Sequence, residues 1–215
     1  MNGPIGILGG TYDPVHHGHL RLALECQQAV GLDQVNLVPL HRPAHRGGIH
    51  ASAEQRLQML RLATEGMPRL HVDDIEIRRD ATSWTIDTVT EYRRLYPARP
   101  LCLIMGMDSF CNLHQWKQWE LIPEQVHIIV ATRPETDDGA VVGPVAAIYA
   151  ARHTDNVADI HQAPAGRIIR IQIPPLAISS TRIRRLLLAG QDPAFLLPEK
   201  VLTYIYDNKI YPETS

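Results

Sequence analysis

Short apolar runs that stop at glycine or proline alternate along this chain with stretches whose apolar residues recur every three or four positions. Residues 5–8, closed by Gly9-Gly10, form a run of the first kind and predict a buried central strand. Residues 18–30 are of the second kind, with Leu20, Leu22, Ala23, Leu24 and Ala29 spaced for a helix that Gly31 ends. "QVNLVPL" then predicts a strand, so the chain opens as strand, loop, helix, strand. Further on, the loop "HRPAHRGGIHAS" leads to a helix over about 53–64 with Ser52 as its N-cap. "LHVDDIEIRR" predicts one or two short strands, and Ser83 caps a helix from Trp84 to about Leu95. "LCLIMG", "VHIIVATRP" and "RIIRIQIP" supply three more strands. "SSTRIRRLLLAG" predicts a capped helix stopped by Gly190, and "PEKVLTYIYDN" a last helix. Between 134 and 166 the pattern weakens; "AAIYAARH" suits a helix and the rest a loop. Strands alternating with helices pair in parallel and are covered on both faces. The expectation is a single α/β domain, 1–215, built on a doubly wound, Rossmann-like, mostly parallel sheet, with a small helical part over about 179–215.

Composition narrows the partners. With 21 basic and 23 acidic residues the formal charge is −2, so no whole-molecule field draws in nucleic acid or an anionic membrane, and an anion must be caught locally. No apolar run approaches the roughly 20 residues of a membrane span, and the first residues lack the order of a secretory signal, which predicts a cytoplasmic protein. Cys26, Cys102 and Cys111 make neither an even set nor a CxxC pair; Cys26 and Cys102 read as buried small hydrophobes.

The chemistry concentrates in "GILGGTYDPVHHGHL", residues 5–19. In an open parallel sheet a ligand sits beyond the carboxyl ends of the strands. Gly9 and Gly10 fall at that point, where the absence of side chains lets a nucleotide approach the backbone and the following helix turns its positive end to phosphate. His16 and His19, three apart, share a face of that helix. A simple Gly-Gly turn with solvated histidines is the plainer alternative. A zinc site from His16, His17 and His19 is disfavoured, because His17 points roughly 100° from His16 and no carboxylate or thiolate completes the set, so no resident metal is expected.

Near the other end stands "ISSTRIR", residues 178–184. Ser179, Ser180 and Thr181 offer hydroxyls and N–H groups at a helix start, and Arg184 adds a fixed charge one turn on, which suits a phosphate clamp. A capped amphipathic helix with its Arg in solvent is the alternative.

Taken together these segments resemble a known family. "GGTYDPVHHGH" is similar to the signature G-G-[ST]-F-[DN]-P-x-H-x-G-H of the nicotinate and nicotinamide mononucleotide adenylyltransferases, members of the HxGH nucleotidyltransferase superfamily, with Tyr12 in place of the commoner Phe. "ISSTRIR" resembles the family's second signature, I-S-S-T-x-I-R. "PLHRPAHR" resembles the proline-rich loop whose basic residue, here Arg46, reaches the triphosphate. "SWTIDT" resembles the S-[YW]-T segment at the mononucleotide site, "GMDSFCNLHQWKQWEL" the G-x-D-x-x-x-x-L-x-x-W-x-x-W block, and "TRP" at 132–134 the [AS]-R-P turn. The likeness spans nearly all of the chain except 135–166, and its "SWT" and Trp116 pairing is closer to the bacterial nicotinate-preferring branch.

The resemblance implies ATP and nicotinic acid mononucleotide as substrates, with Mg²⁺ delivered by ATP. It implies His16, His19, Arg46 and Arg184 as catalytic residues, and Gly9, Gly10, Thr11, Gly18, Ser179, Ser180 and Thr181 at ATP. Trp84, Thr85, Asp108, Trp116, Lys117 and Arg133 fall at the mononucleotide. Physical chemistry agrees in part: backbone N–H groups near Thr85 suit a carboxylate, and Trp116 can stack on a pyridinium ring. Trp116 and Trp119 at i, i+3 are equally placed for core, the reading preferred for Trp119, and Asp108 serves either ribose hydroxyls or a helix cap. Asp87 and Cys111 carry no such argument. Two other readings stay open: a different HxGH transferase acting on nicotinamide mononucleotide, phosphopantetheine or a cytidylyl substrate, and a nucleotide sensor without turnover.

Overall fold

Strand β1 (Ile5–Gly10) and helix α1 (His17–Val30) come first, with Gly31 in the left-handed conformation at φ 69° ending the helix. These and the elements below belong to a computed structural model that describes residues 3–43, 49–132, 141–174 and 176–212. Strands β2 (Gln34–Pro39) and β3 (Arg42–Pro43) follow, then helix α2 (Ala53–Thr64). Ser52 caps α2 as expected: its Oγ accepts from the Gln55 N–H while Gln55 Oε1 accepts from the Ser52 N–H.

After β4 (Leu70–Val72) the chain departs from expectation. Residues 75–79, whose alternation reads as a strand, form the short helix α3 (Ile75–Arg79). Asp73 Oδ1 accepts from the Ile75 N–H at 3.1 Å, a local turn that starts a helix where Ile75 and Glu76 can both be buried. Ser83 is no N-cap either. It lies in β5 (Thr82–Ser83), its Oγ accepts from the His41 N–H at 2.9 Å, and helix α4 (Thr85–Leu95) is capped by Trp84.

Strand β6 (Leu101–Gly106), helices α5 (Met107–Cys111) and α6 (Ile122–Gln125), and strand β7 (His127–Thr132) come next. Helix α7 (Ala146–Arg152) is where "AAIYAARH" placed it, but α8 (Ala158–Gln162) folds in a stretch expected to be loop. Strand β8 (Ile168–Gln172), α9 (Ser180–Leu188) and α10 (Glu199–Asp207) complete the chain, and no described helix is long and apolar enough to cross a membrane.

The six-stranded sheet runs β4-β2-β1-β6-β7-β8 with every pairing parallel, while β3 and β5 make a separate parallel ribbon. Residues alternate between two cores. Ile5, Ile7, Leu101, Leu103, Met105, Ile128 and Val130 face the side of α4, with Val89 and Tyr92. Leu8, Cys102, Ile104, Ile129 and Ala131 face the side of α1, α2 and α10. Cys26 and Cys102 are fully buried in the second core.

This order reverses between β1 and β6, the position at which open α/β sheets bind ligands. β1 pairs with β2 along its whole length, Ile5↔Gln34 to Gly10↔Pro39. With β6 it pairs only from Ile5↔Leu101 to Ile7↔Leu103. Past that point the two strands part, and a crevice opens between their carboxyl ends.

Candidate active site

The crevice widens into a cleft of about 500 Å³. Residues 7–10 and 103–106 form its floor, Thr11 and His19 one wall, and Ser83, Trp84, Thr85, Gln115, Trp116 and Lys117 the other. Thus the first glycine motif, "SWT" and the Trp116 block, widely separated in sequence, meet in one cavity. A side chain at Gly9 or Gly106 would meet nothing within 4 Å, which leaves the backbone open to a ligand.

Gly10 has a different reason to be glycine. A Cβ there would lie 3.0 Å from the ring of Tyr12, which stands in the left-handed region at φ 53°, is buried, and donates its hydroxyl to the Leu8 carbonyl at 2.6 Å. Gly18 is similar, since its Cβ would meet the His16 ring at 3.0 Å. The two histidines do share a face, as the spacing requires, and they stack, with centroids 3.8 Å apart and an interplanar angle of 25°. Tyr12 packs edge-on against His19 at 5.0 Å. His16 is the N-cap of α1, and its N–H donates to His19 Nδ1 at 3.3 Å. An Nδ1 that accepts leaves the ring proton on Nε2, so His19 is held as a donor on its other edge. The buried Nδ1 of His16 has no protein partner. One N–H of the α1 terminus is already used, because His17 donates to the Leu196 carbonyl at 3.1 Å.

Burial, with the charge of His17 second, pushes the His16 pKa down to about 4. Burial first and His16 second push His19 down to about 3. Both rings are neutral donors at neutral pH, and both bind a proton in the unfolded chain before the folded one. Folding stability should therefore be unaffected by these groups above about pH 6.5 and should fall as pH drops from there toward 4 and 3. Between pH 7 and 5 the loss is on the order of 2 kcal/mol for each ring. Urea unfolding at the two pH values should show this slope, flattened when His16 and His19 are both Asn; an unchanged slope would mean that the buried pair accepts protons freely.

Behind the loop lies a polar network that sequence reading missed. Asp13 is buried, and Oδ1 accepts from the Ala51 N–H at 3.0 Å and the Tyr211 hydroxyl at 2.6 Å, while Oδ2 accepts from the His50 N–H at 2.9 Å. Burial, then Asp13 itself, raises the Tyr211 pKa. The equally buried Arg56 donates Nη1 to the Thr11 carbonyl at 2.9 Å, Nε to Ala51 O and Nη2 to His41 O, both at 3.3 Å. A signal existed for Arg56: it occupies the apolar stripe of α2 with Met59, Leu60 and Ala63. Nothing in the sequence pointed to Tyr211.

The second motif joins the same loop. Ser180 Oγ donates to the Pro14 carbonyl at 2.9 Å, and Arg184 Nη1 donates to the Asp13 carbonyl at 2.6 Å with Nη2 3.5 Å from Thr181 Oγ1. Ser179 caps α9 by accepting from the Arg182 N–H at 3.2 Å, and Thr181 is exposed. "ISSTRIR" thus buttresses the histidine loop in addition to any ligand role. Arg46 and Arg133 lie outside the described residues.

On the opposite wall Trp84 and Trp116 both pack against the α4-side core while lining the cleft. Trp119 packs against that core and does not line the cleft, in keeping with its core reading. Asp108 is exposed in the first turn of α5; Gly106 is the N-cap there, and Asp108 is not among the cleft residues. Glu76, not anticipated, does line the cleft: it is buried, Oε1 accepts from the Thr88 hydroxyl at 2.6 Å, and Oε2 has no protein partner.

Residues 7–186 match the family model described as cytidylyltransferase-like. The chain is 45% identical over 210 residues to a probable nicotinate-nucleotide adenylyltransferase of Aeromonas hydrophila subsp. hydrophila, covering 97% of each, and 43% identical over 197 residues to one of Marinobacter nauticus, covering 91% of this chain and 90% of that one. In structure it is similar to the nicotinic acid mononucleotide adenylyltransferase of Plasmodium falciparum complexed with NaAD, at a TM-score of 0.73 and 16% identity over 99% of this chain and 98% of the other. The same enzyme complexed with APC gives a TM-score of 0.70.

Proposed function

The chain belongs to the nicotinate-nucleotide adenylyltransferases within the cytidylyltransferase-like family, and from that premise we propose how its cleft joins ATP to nicotinic acid mononucleotide. The carrying observation is the meeting of Gly9, His19, Thr85 and Trp116 in one cavity where β1 and β6 part. A 5′-phosphate oxygen of the mononucleotide forms a bond to the α-phosphorus of ATP, the bond from that phosphorus to the β-phosphate oxygen breaks, and pyrophosphate leaves with the electron pair. The attacking phosphate is already ionised at neutral pH, so the protein's task is positioning and charge stabilisation, without a base or covalent intermediate.

Neutral His19, with its proton on Nε2, donates to the α-phosphoryl oxygens, and His16 assists from the N-cap. The open backbone at Gly9 admits the nucleotide, and Arg184 holds positive charge beside the loop with Thr181. Arg46 and Arg133 keep their expected roles at the triphosphate and the mononucleotide. Trp116 and Trp84 take the pyridine ring, and the first N–H groups of α4 at Thr85 take its carboxylate. Mg²⁺ would enter with ATP: Asp13, the carboxylate of the histidine loop, is buried and already accepts three hydrogen bonds, so phosphate oxygens and water rather than protein side chains would hold the ion, and it would supply positive charge to the leaving pyrophosphate.

The test is pyrophosphate release with Mg-ATP and, separately, nicotinic acid mononucleotide, nicotinamide mononucleotide or phosphopantetheine. Release with the acid, at least tenfold above the other two, is the expected result. Equal release with the amide discards the account of specificity, and none with the acid discards the reaction.

A further inference from the structure

A buried carboxylate, Glu76, lines the cleft, with Oε2 unpartnered and the Arg79 guanidinium 4.0 Å from Oε1. Asp87 lies in the first turn of α4, outside the cleft lining. Among the described residues that line the cleft, Lys117 is the one ammonium or guanidinium, since both nearby histidines are neutral. Its Nζ lies 5.5 Å from the centroid of the Trp84 ring and 3.5 Å from Asp87 Oδ2. Trp116, the preceding residue, lines the same cavity.

The N–H groups at the start of α4 suit a carboxylate, but they discriminate incompletely, because a carboxamide can turn its own oxygen to one of them. A net positive charge, which attracts the anion alone, discriminates further. We propose that Lys117 is the residue that selects the pyridine carboxylate over the carboxamide, and that Asp87 holds its ammonium beside the cleft and yields it to the substrate. This rests on reading the cleft as the mononucleotide site. The side chains of Lys117 and Asp87 are 43% and 40% exposed, and ion pairs so exposed are weak enough to exchange partners. Over the Trp84 ring the ammonium loses part of its water, which makes a second carboxylate a better partner there than in bulk solvent.

The experiment titrates the full chain with nicotinic acid mononucleotide and with nicotinamide mononucleotide, reading tryptophan fluorescence, so that binding is measured apart from turnover. The parent should bind the acid at least tenfold more tightly. Lys117→Met should lower that ratio tenfold or more, Lys117→Arg should restore most of it, and Asp87→Asn should raise acid affinity severalfold by freeing the ammonium. A Lys117→Met ratio within twofold of the parent overturns the proposal, as does a loss that Lys117→Arg repeats in full. If the parent prefers the acid in binding yet releases no pyrophosphate with Mg-ATP, the reaction reading fails while the selection by Lys117 stands.

Discussion

His19→Ala should lower kcat for pyrophosphate release by a hundredfold or more, with the KM for ATP changed by no more than a few-fold. Removing one preorganised donor from a developing oxyanion costs about 10²–10³ in rate. Here the donor is fixed before the substrate arrives: His16 N–H occupies Nδ1, His16 stacks on one face, and Tyr12 closes the edge. An interaction that strengthens only as charge builds on the α-phosphoryl oxygens appears in kcat rather than KM. His19→Gln, which keeps an N–H donor on a looser chain, should recover part of the loss. Because the ring is packed, circular dichroism and urea unfolding must first show the variant folded. A folded His19→Ala protein with turnover within a few-fold of the parent would remove His19 from the chemistry.

The neutrality of that donor matters for pH as well. A ring whose pKa is driven down to about 3 by burial does not change charge between pH 6 and 9, so it cannot impose a limb on the activity profile in that range. Under the proposed mechanism the phosphate's need for charge falls to fixed guanidinium groups such as Arg184, leaving the histidine to supply direction.

What the sequence made legible is what depends on local spacing. The bounds of α2, with Ser52 as cap and Gln55 returning the bond, follow from four residues in a row. The buried central strands follow from uninterrupted apolar runs, and their parallel pairing from the helices between them. The histidine pair follows from an i, i+3 interval. The misses share a different cause. "DDIEIRR" alternates like a strand, and five residues are too few for a helical period to show, so Asp73 closing a turn onto Ile75 decides its form. Ser83 has the chemistry of a cap, but its partner, the His41 N–H, is 42 positions away. Asp87 gains its meaning only from Lys117, distant in sequence, whose ammonium lies 3.5 Å away. Gly10 reads as an opening for phosphate, and the Tyr12 ring fills that space instead.

The largest stability effect is expected at Asp13, whose place in the buried network depends on residues distant in sequence. Its carboxylate accepts from Ala51, His50 and Tyr211 and lies 3.8 Å from Arg184 Nη1, with the buried Arg56 guanidinium tied to the adjacent Thr11 carbonyl. Asp13→Ala strands the Ala51 N–H and the Tyr211 hydroxyl in the interior, turns the His50 N–H to solvent, and removes the negative charge beside Arg184. Breaking such a buried set by removing one partner costs about 3–5 kcal/mol. Tyr211→Phe removes a single hydrogen bond and should cost only about 1 kcal/mol. Urea unfolding at pH 7 compares them directly. The difference carries into function, because the same loop holds His16 and His19: Tyr211→Phe should keep most turnover, and Asp13→Ala should lose it even where enough protein stays folded to assay. If the two variants prove equally mild, the loop is held by its packing around Tyr12, and the network behind it is a consequence of that packing rather than its support.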